Sequence, residues 1–190
     1  MNTLERLQTL LRDQPAKPPI ERWEPPLSGD MDMEIRSDGE WYHEGGRIVR
    51  RELVRLFASI LRREGDGAYY LVTPVEKWRI RVEDAPLVAV DFECAGEGER
   101  RELAFRLNTG EWVPLDASHR LDVTEAEDGE PRPYLSLERG LHALVARAAY
   151  YRLVDLAIAA GPVPGEGAEG QHTLYLHSHG ETFALGRIHH

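Results

Sequence analysis

The residues of this chain best suited to chemistry are arginines in aromatic company. Arg147 and Arg152 sit in "LHALVARAAYYRLVDLAIAAG", a run that is apolar nearly all round. A guanidinium inside such a run must be paired and hydrogen-bonded, because an isolated buried charge is strongly unfavourable. Its partner is either one of the chain's many carboxylates or a phosphate or carboxylate ligand, which the planar guanidinium grips with parallel N–H bonds. The carboxylate is the more ordinary partner. Arg132 and Arg139 flank "RPYLSLER", with Tyr134 between them. Arg50 and Arg51 open a second helical run, where the unbonded N–H groups of a first turn also draw anions. Trp41 and His43 are two apart in a strand-like stretch, so they share a face. If the two helices face one interface, Trp41, His43, Arg50, Arg132, Tyr134, Arg139 and Arg147 converge into an aromatic and basic pocket suited to a nucleotide-like anion.

Other chemistries fail on residue count or spacing. His177 and His179 alternate along a predicted strand, so both are expected on one face, as metal ligands are. A zinc site needs further ligands that the neighbouring sequence does not supply, and no metal site is assigned. His189 and His190 end the chain and are set aside. The carboxylates Glu83 and Asp84, and Glu125, Glu127 and Asp128, lie in polar stretches, whereas a catalytic acid needs burial to displace its pKa. There is no Gly-x-Ser-x-Gly elbow, and Ser118 beside His119 has no third partner in view. Cys94 reads as a small core residue. "GDMDMEIRSDG" lacks the sixth-position Gly and twelfth-position Glu of a calcium loop and reads as a solvated strand and turn. "GPVPGEGAEG" lacks the Gly-Lys-Ser/Thr ending of a phosphate loop and reads as an acidic connector. No catalytic residue and no cofactor is assigned, and the chain reads as a binder rather than an enzyme.

Composition narrows the partners. The net charge of −10 repels phosphate backbones, so nucleic acid is not an expected partner. One cysteine rules out an intrachain disulfide. "MNTLERLQTLLRDQ" is amphipathic and charged rather than an apolar signal core, and no apolar run approaches the roughly 18 residues of a membrane span. The expectation is a cytoplasmic protein without membrane insertion. At 190 residues, the chain makes one large domain or two small ones.

The elements that must position these residues follow from periodicity. Leu4, Leu7, Leu10 and Leu11 predict a helix over 3–13, with Asn2 and Glu5 as a capping box. Five prolines between Pro15 and Pro26 predict an extended strap, pinned by Ile20 and Trp23. "MEIRSDGEWYH" reads as a hairpin turning at Asp38-Gly39. "RRELVRLFASILRREGDG" reads as one helix, with Leu53, Leu56, Phe57, Ile60 and Leu61 on one face and a stop at Gly65. A hairpin with Pro74 in its turn, the strand "PLVAVDFECAG" and a hairpin turning at Asn108 to Gly110 come next. Short strands then surround the acidic loop "TEAEDGE". "RGLHALVARAAYYRLVDLAIAAG" reads as one long helix, and "HTLYLHSHGETFALG" as a last hairpin. The hairpins at 35–45 and 174–186 echo each other, as do those at 69–82 and 103–115, which suggests two related halves. The fold class is α+β: two parts, repeated antiparallel hairpins and two major helices.

The run from "WEPPLSGDMDMEIRSDGEWYHEGGRIVRRELV" through "PLVAVDFE", with the later "RPYLSLERGLHALVARAAYYRLVDLA", resembles a bacterial family defined as domain of unknown function 1285. The resemblance spans about residues 22–186. One departure is Leu87 in "EDAPLVAV", where the family pattern leads us to expect an aromatic. The resemblance implies a two-domain α+β arrangement whose C-terminal half is superficially like a pleckstrin-homology domain, a ligand site at the domain interface for a nucleotide-like molecule, and a signalling role. It implies no activity. The expected organisation is a helix and strap over 1–30, an N-terminal α+β domain over 31–85 and a C-terminal one over 86–190. The expected function is binding of a small anionic or nucleotide-like ligand, with a protein–protein interaction module as the alternative.

Overall fold

The computed structural model of the chain describes residues 3–161 and 171–189. The expected capping residue Asn2, the connector from residue 162 to 170 and the side chains of Leu4, Leu7 and Leu10 lie outside that description. The chain divides into two compact units. The first comprises Pro15–Val88 and Leu137–His142, and the second Met1–Gln14, Ala89–Ser136 and Ala143–His190. Helix α1 (Thr3–Arg12) therefore belongs to the second unit, and the proline strap to the first.

The first unit is one six-stranded sheet and a helix. Its strands are β1 (Leu27–Ile35), β2 (Trp41–His43) and β3 (Gly46–Arg47), then helix α2 (Arg51–Ser59), then β4 (Leu61–Arg63), β5 (Tyr69–Val72) and β6 (Lys77–Val82). They run in the order β3-β2-β1-β6-β5-β4, with β1 and β6 parallel at the centre. The period of two in β1 sorts its side chains. Asp30, Asp32 and Glu34 form a row that Arg79 and Arg81 of β6 answer, at 2.7 Å for Asp30–Arg79 and 3.0 Å for Asp32–Arg81. Met33 and Ile35 turn inward to a core with Trp41, Leu61, Tyr69, Leu71 and Ile80, against which Val54, Phe57 and Ala58 of α2 pack.

Helix α2 ends at Ser59, not at Gly65. Ile60 leaves the helical region at φ −111°, ψ 11°, and Leu61 pairs with Leu71 as a strand. The apolar run satisfied a helical period and a strand alike; burial of Leu61 against β5 decided for the strand.

The proline strap is held by two arginines. The strap is not extended throughout: a short 3₁₀ turn over Ile20–Arg22 lets the Pro18, Pro19 and Ile20 carbonyls accept the N–H groups of Ile20, Arg22 and Trp23, and two arginines donate to the strap from outside. Arg62 donates to the carbonyls of Ile20 (2.9 Å) and Trp23 (3.0 Å). Arg139 donates to the carbonyls of Pro18 and Ser59, both at 2.7 Å, and to the Glu21 carboxylate at 2.5 Å. Ile20 is fully buried, as the sequence led us to expect of a pin.

The second unit holds a sheet of β7 (Leu87–Ala95), β8 (Glu102–Leu107), β9 (Trp112–Pro114), β10 (Leu121–Glu125), β11 (Pro131–Ser136) and β12 (His142–Val145). Helix α3 (Arg147–Ala160) and the separate hairpin of β13 (Gln171–Ser178) and β14 (Glu181–His189) complete it. Phe92, Leu103, Phe105, Leu135, Leu153, Leu176 and Phe183 are buried, and Phe92 meets Phe105 edge-on at 6.1 Å. The long helix expected from Arg139 begins only at Arg147. Before it, Arg139 and Gly140 adopt left-handed φ values of 61° and 69°, and His142–Val145 is a strand whose residues alternate half-buried and buried. That alternation lay hidden inside a run apolar enough to pass for a helix.

The two sheets share one connectivity. Sheet one reads β3-β2-β1-β6-β5-β4, and sheet two, from its other end, β9-β8-β7-β12-β11-β10. Each is a pair of three-strand meanders joined through the first strand of one and the last of the other. The hairpin at 69–82 therefore corresponds to β11–β12, not to the hairpin at 103–115, and the hairpin at 174–186 has no counterpart in the first sheet. The helices differ in place: α2 joins the two meanders, whereas α3 follows the second. Among the described residues, no helix is long and apolar enough to cross a membrane.

Candidate functional site

The seven residues expected to converge divide between the units. In the first unit, Trp41 faces the core: it is 1 % exposed and stacks on Phe57 at 6.1 Å. Its indole N–H has no hydrogen-bond partner among the described residues. His43, two residues on, pairs with Met33 at the end of β2 and is exposed beside the turn beginning with Glu44 (φ 49°). The Arg139 side chain is 6 % exposed and its donors are engaged by the strap and Glu21.

Arg50 stands differently. It precedes α2 with extended backbone, no side chain caps that helix, and Leu53 and Val54 donate their N–H groups back to its carbonyl. Arg50 and Arg51 are exposed and neither forms an ion pair among the described residues. Two guanidinium groups without an ion pair thus stand at the positive end of a helix whose first turn also carries Glu52, on a chain of net charge −10. Beside them, Val49 is 76 % and Leu56 57 % exposed. Periodicity assigned Leu56 to the buried face of a helix that proved shorter.

In the second unit lie Arg132 and Tyr134 of β11, an inner strand of its sheet, and Arg147 of α3. Arg132 and Tyr134 are half-buried neighbours on one face of β11; Arg132 Nε lies 3.4 Å from the Tyr134 hydroxyl. Arg147 is not the buried guanidinium that its apolar surroundings suggested. As the first residue of α3 it projects outward, its side chain 68 % exposed. It donates to Glu130 at 2.9 Å and to the Tyr151 hydroxyl at 3.4 Å. These bonds, Tyr151 first, raise its pKa above its ordinary value and hold it cationic. Glu130 immediately precedes β11, so the ion pair sets Arg147 beside the start of the strand that carries Arg132 and Tyr134. A carboxylate partner is thus found for Arg147. Tyr151, one turn along α3, went unnoticed in the sequence although the i, i+4 spacing announces it.

Arg152 also has its carboxylate, Asp91 of β7, and lies 4.6 Å above the Phe92 ring. His177 and His179 do not act together. His177 faces Thr182 at 3.0 Å, whereas His179 lies past the strand in a left-handed turn (φ 50°), with Nδ1 3.0 Å from the Ser178 hydroxyl and 3.2 Å from the Leu115 carbonyl. Cys94 is half-buried; burial pushes its thiol pKa up, against a smaller opposing pull from Arg101.

Family models match both parts of the chain: the N-terminal domain of DUF1285, a domain of unknown function, over residues 18–85, and the DUF1285 C-terminal domain over 86–185. A crystal structure of a DUF1285 family protein from Silicibacter pomeroyi DSS-3 is 40% identical, covers 98% of this chain and 96% of its own, and superposes with a TM-score of 0.78. A second, from Shewanella baltica OS155, is 36% identical over 66% of this chain and 92% of its own, with a TM-score of 0.53. No curated protein matches. With both domain models matched in order and a 40% identical relative alongside nearly the whole length, the chain belongs to the DUF1285 family.

Proposed function

We propose that the protein binds a small phosphate-bearing, nucleotide-like anion and serves as a sensor rather than an enzyme. The observation that carries this reading is the pair Arg50 and Arg51, exposed and without ion pairs at the uncapped start of α2. A guanidinium already spent on a carboxylate must break that pair before it binds an anion; these two need not. The test is calorimetric titration with inorganic phosphate and with nucleoside mono- and diphosphates at low salt. Binding is expected for the wild type, tightening from phosphate to diphosphate, and weakened at least tenfold in the Arg50→Ala/Arg51→Ala variant. Arg147→Ala is the control for the second unit: loss there alone places recognition at Arg147, Arg132 and Tyr134 instead. No heat with any of these anions refutes the reading.

The exposure of Val49 and Leu56 favours a second reading, in which the same face docks an acidic, partly apolar protein segment. The two separate cleanly: Leu56→Asp leaves phosphate titration unchanged but removes a protein contact.

A further inference from the structure

One cavity of the second unit has a different chemistry. Strand β7 and helix α3 bound an open cleft of about 530 Å³ lined by Phe92, Glu93, Cys94, Arg152, Asp155 and Leu156. That volume is in the range of small-molecule sites. The Cys94 thiol and Leu156 give it apolar surface, and Phe92, 4 % exposed, lies under the Arg152 guanidinium. Of its charged groups, Arg152 is paired with Asp91, and Glu93 with Arg6 of α1 at 2.6 Å. Asp155 is exposed and forms no ion pair among the described residues. Among the described residues, the charge of the cleft without an ion pair is therefore the Asp155 carboxylate. An anion entering it would have to displace Asp91 from Arg152 and would meet Asp155. A cation meets neither obstacle: Asp155 forms no ion pair among the described residues, and the charge of Arg152, one helical turn away, is offset by Asp91.

We propose that this cleft is a binding site for a primary amine with an apolar body, its ammonium received by Asp155 and its body lying on Leu156 and the Cys94 side chain. The proposal is independent of the anion reading for α2. A free amine and a lysine side chain of a peptide share this chemistry. Cys94, the chain's one cysteine, lines the cleft and reports its occupancy.

The experiment follows the rate at which N-ethylmaleimide labels Cys94 in the full chain, by intact mass. A ligand of about nine heavy atoms binds in the millimolar range, so phenethylamine at about 10 mM should slow labelling roughly fivefold. Phenylacetate, of similar size and opposite charge, should leave the rate unchanged. In Asp155→Asn, which keeps the volume and removes the charge, protection by phenethylamine should fall at least threefold. Protection by Nα-acetyl-lysine amide equal to that by phenethylamine assigns the site to a peptide side chain; much weaker protection assigns it to a free amine. An unchanged rate with both amines, equal protection by phenylacetate, or full protection retained in Asp155→Asn overturns the proposal.

Discussion

Removing the Arg139 guanidinium should loosen the whole first unit. Its side chain is 6 % exposed and makes three hydrogen bonds, two to carbonyls and one to a carboxylate. Glu21 is 56 % exposed and rehydrates easily, so that ion pair contributes little. The bonds to Pro18 and Ser59 are charge-assisted, at about 1.5–3 kcal/mol each. Both carbonyls are half-buried, so water recovers part of the loss. The balance for Arg139→Ala is about 3 kcal/mol. With a urea m-value of roughly 2 kcal/mol/M, the midpoint drops by about 1.5 M. Tryptophan fluorescence is the fitting probe, since Trp23, Trp41 and Trp78 belong to this unit and Trp112 alone to the other. The backbone supplies an internal check. Arg139 holds φ 61°, a conformation that strains alanine and not glycine, so Arg139→Gly should recover up to about 1 kcal/mol relative to Arg139→Ala. A midpoint shift below about 0.3 M for Arg139→Ala would refute the assignment of this arginine as the clasp of the strap.

Three further outcomes test other parts of the structure. Burial, and next the Arg63 charge, lower the His142 pKa from its ordinary 6.5, so the folded chain takes up its proton later than the unfolded one; stability is full above about pH 6.5 and falls as pH drops below it, and His142→Leu should flatten that slope in urea titrations between pH 7 and 5. Ser178 is fully buried and accepts the Leu103 N–H at 2.9 Å; Ser178→Ala should cost about 1–3 kcal/mol by leaving that donor unmet, and amide exchange at Leu103 should quicken. Gly96 adopts φ 73°, and a Cβ there would stand 2.3 Å from the Arg100 carbonyl oxygen; Gly96→Ala should lower stability by about 2 kcal/mol or more by thermal melting, and an unchanged melt would contradict the local backbone.

Much of the strand layout was legible because turn chemistry is local. Asp38-Gly39, Pro74 and Asn108 to Gly110 each mark a turn between paired strands. The α+β class in two parts followed from counting those hairpins. Where apolar residues run together, period fails. Leu61 and His142–Val145 fall within predicted helices and form strands: Leu61 continues a helical period that pairing with Leu71 cuts short, and His142–Val145 lies in a run too apolar to carry a phase. Chemical type alone does not separate a site from a core. Trp41 and Arg139 were marked by chemical type, and that type is equally useful to a core and to a strap. The repeat was visible only as a loose echo, since its pairs came from different positions of the two sheets.

The sequence by itself determined the turns, the strap, the α+β class and the surplus of negative charge, all properties of neighbours along the chain or of composition. Tertiary structure alone decided which charges remain free. Arg147 and Arg152 found Glu130 and Asp91, 17 and 61 residues away, whereas Arg50, Arg51 and Asp155 found no ion-pair partner among the described residues. Pairing between distant residues depends on which strands and helices come to lie side by side, and free charge is what a ligand can use.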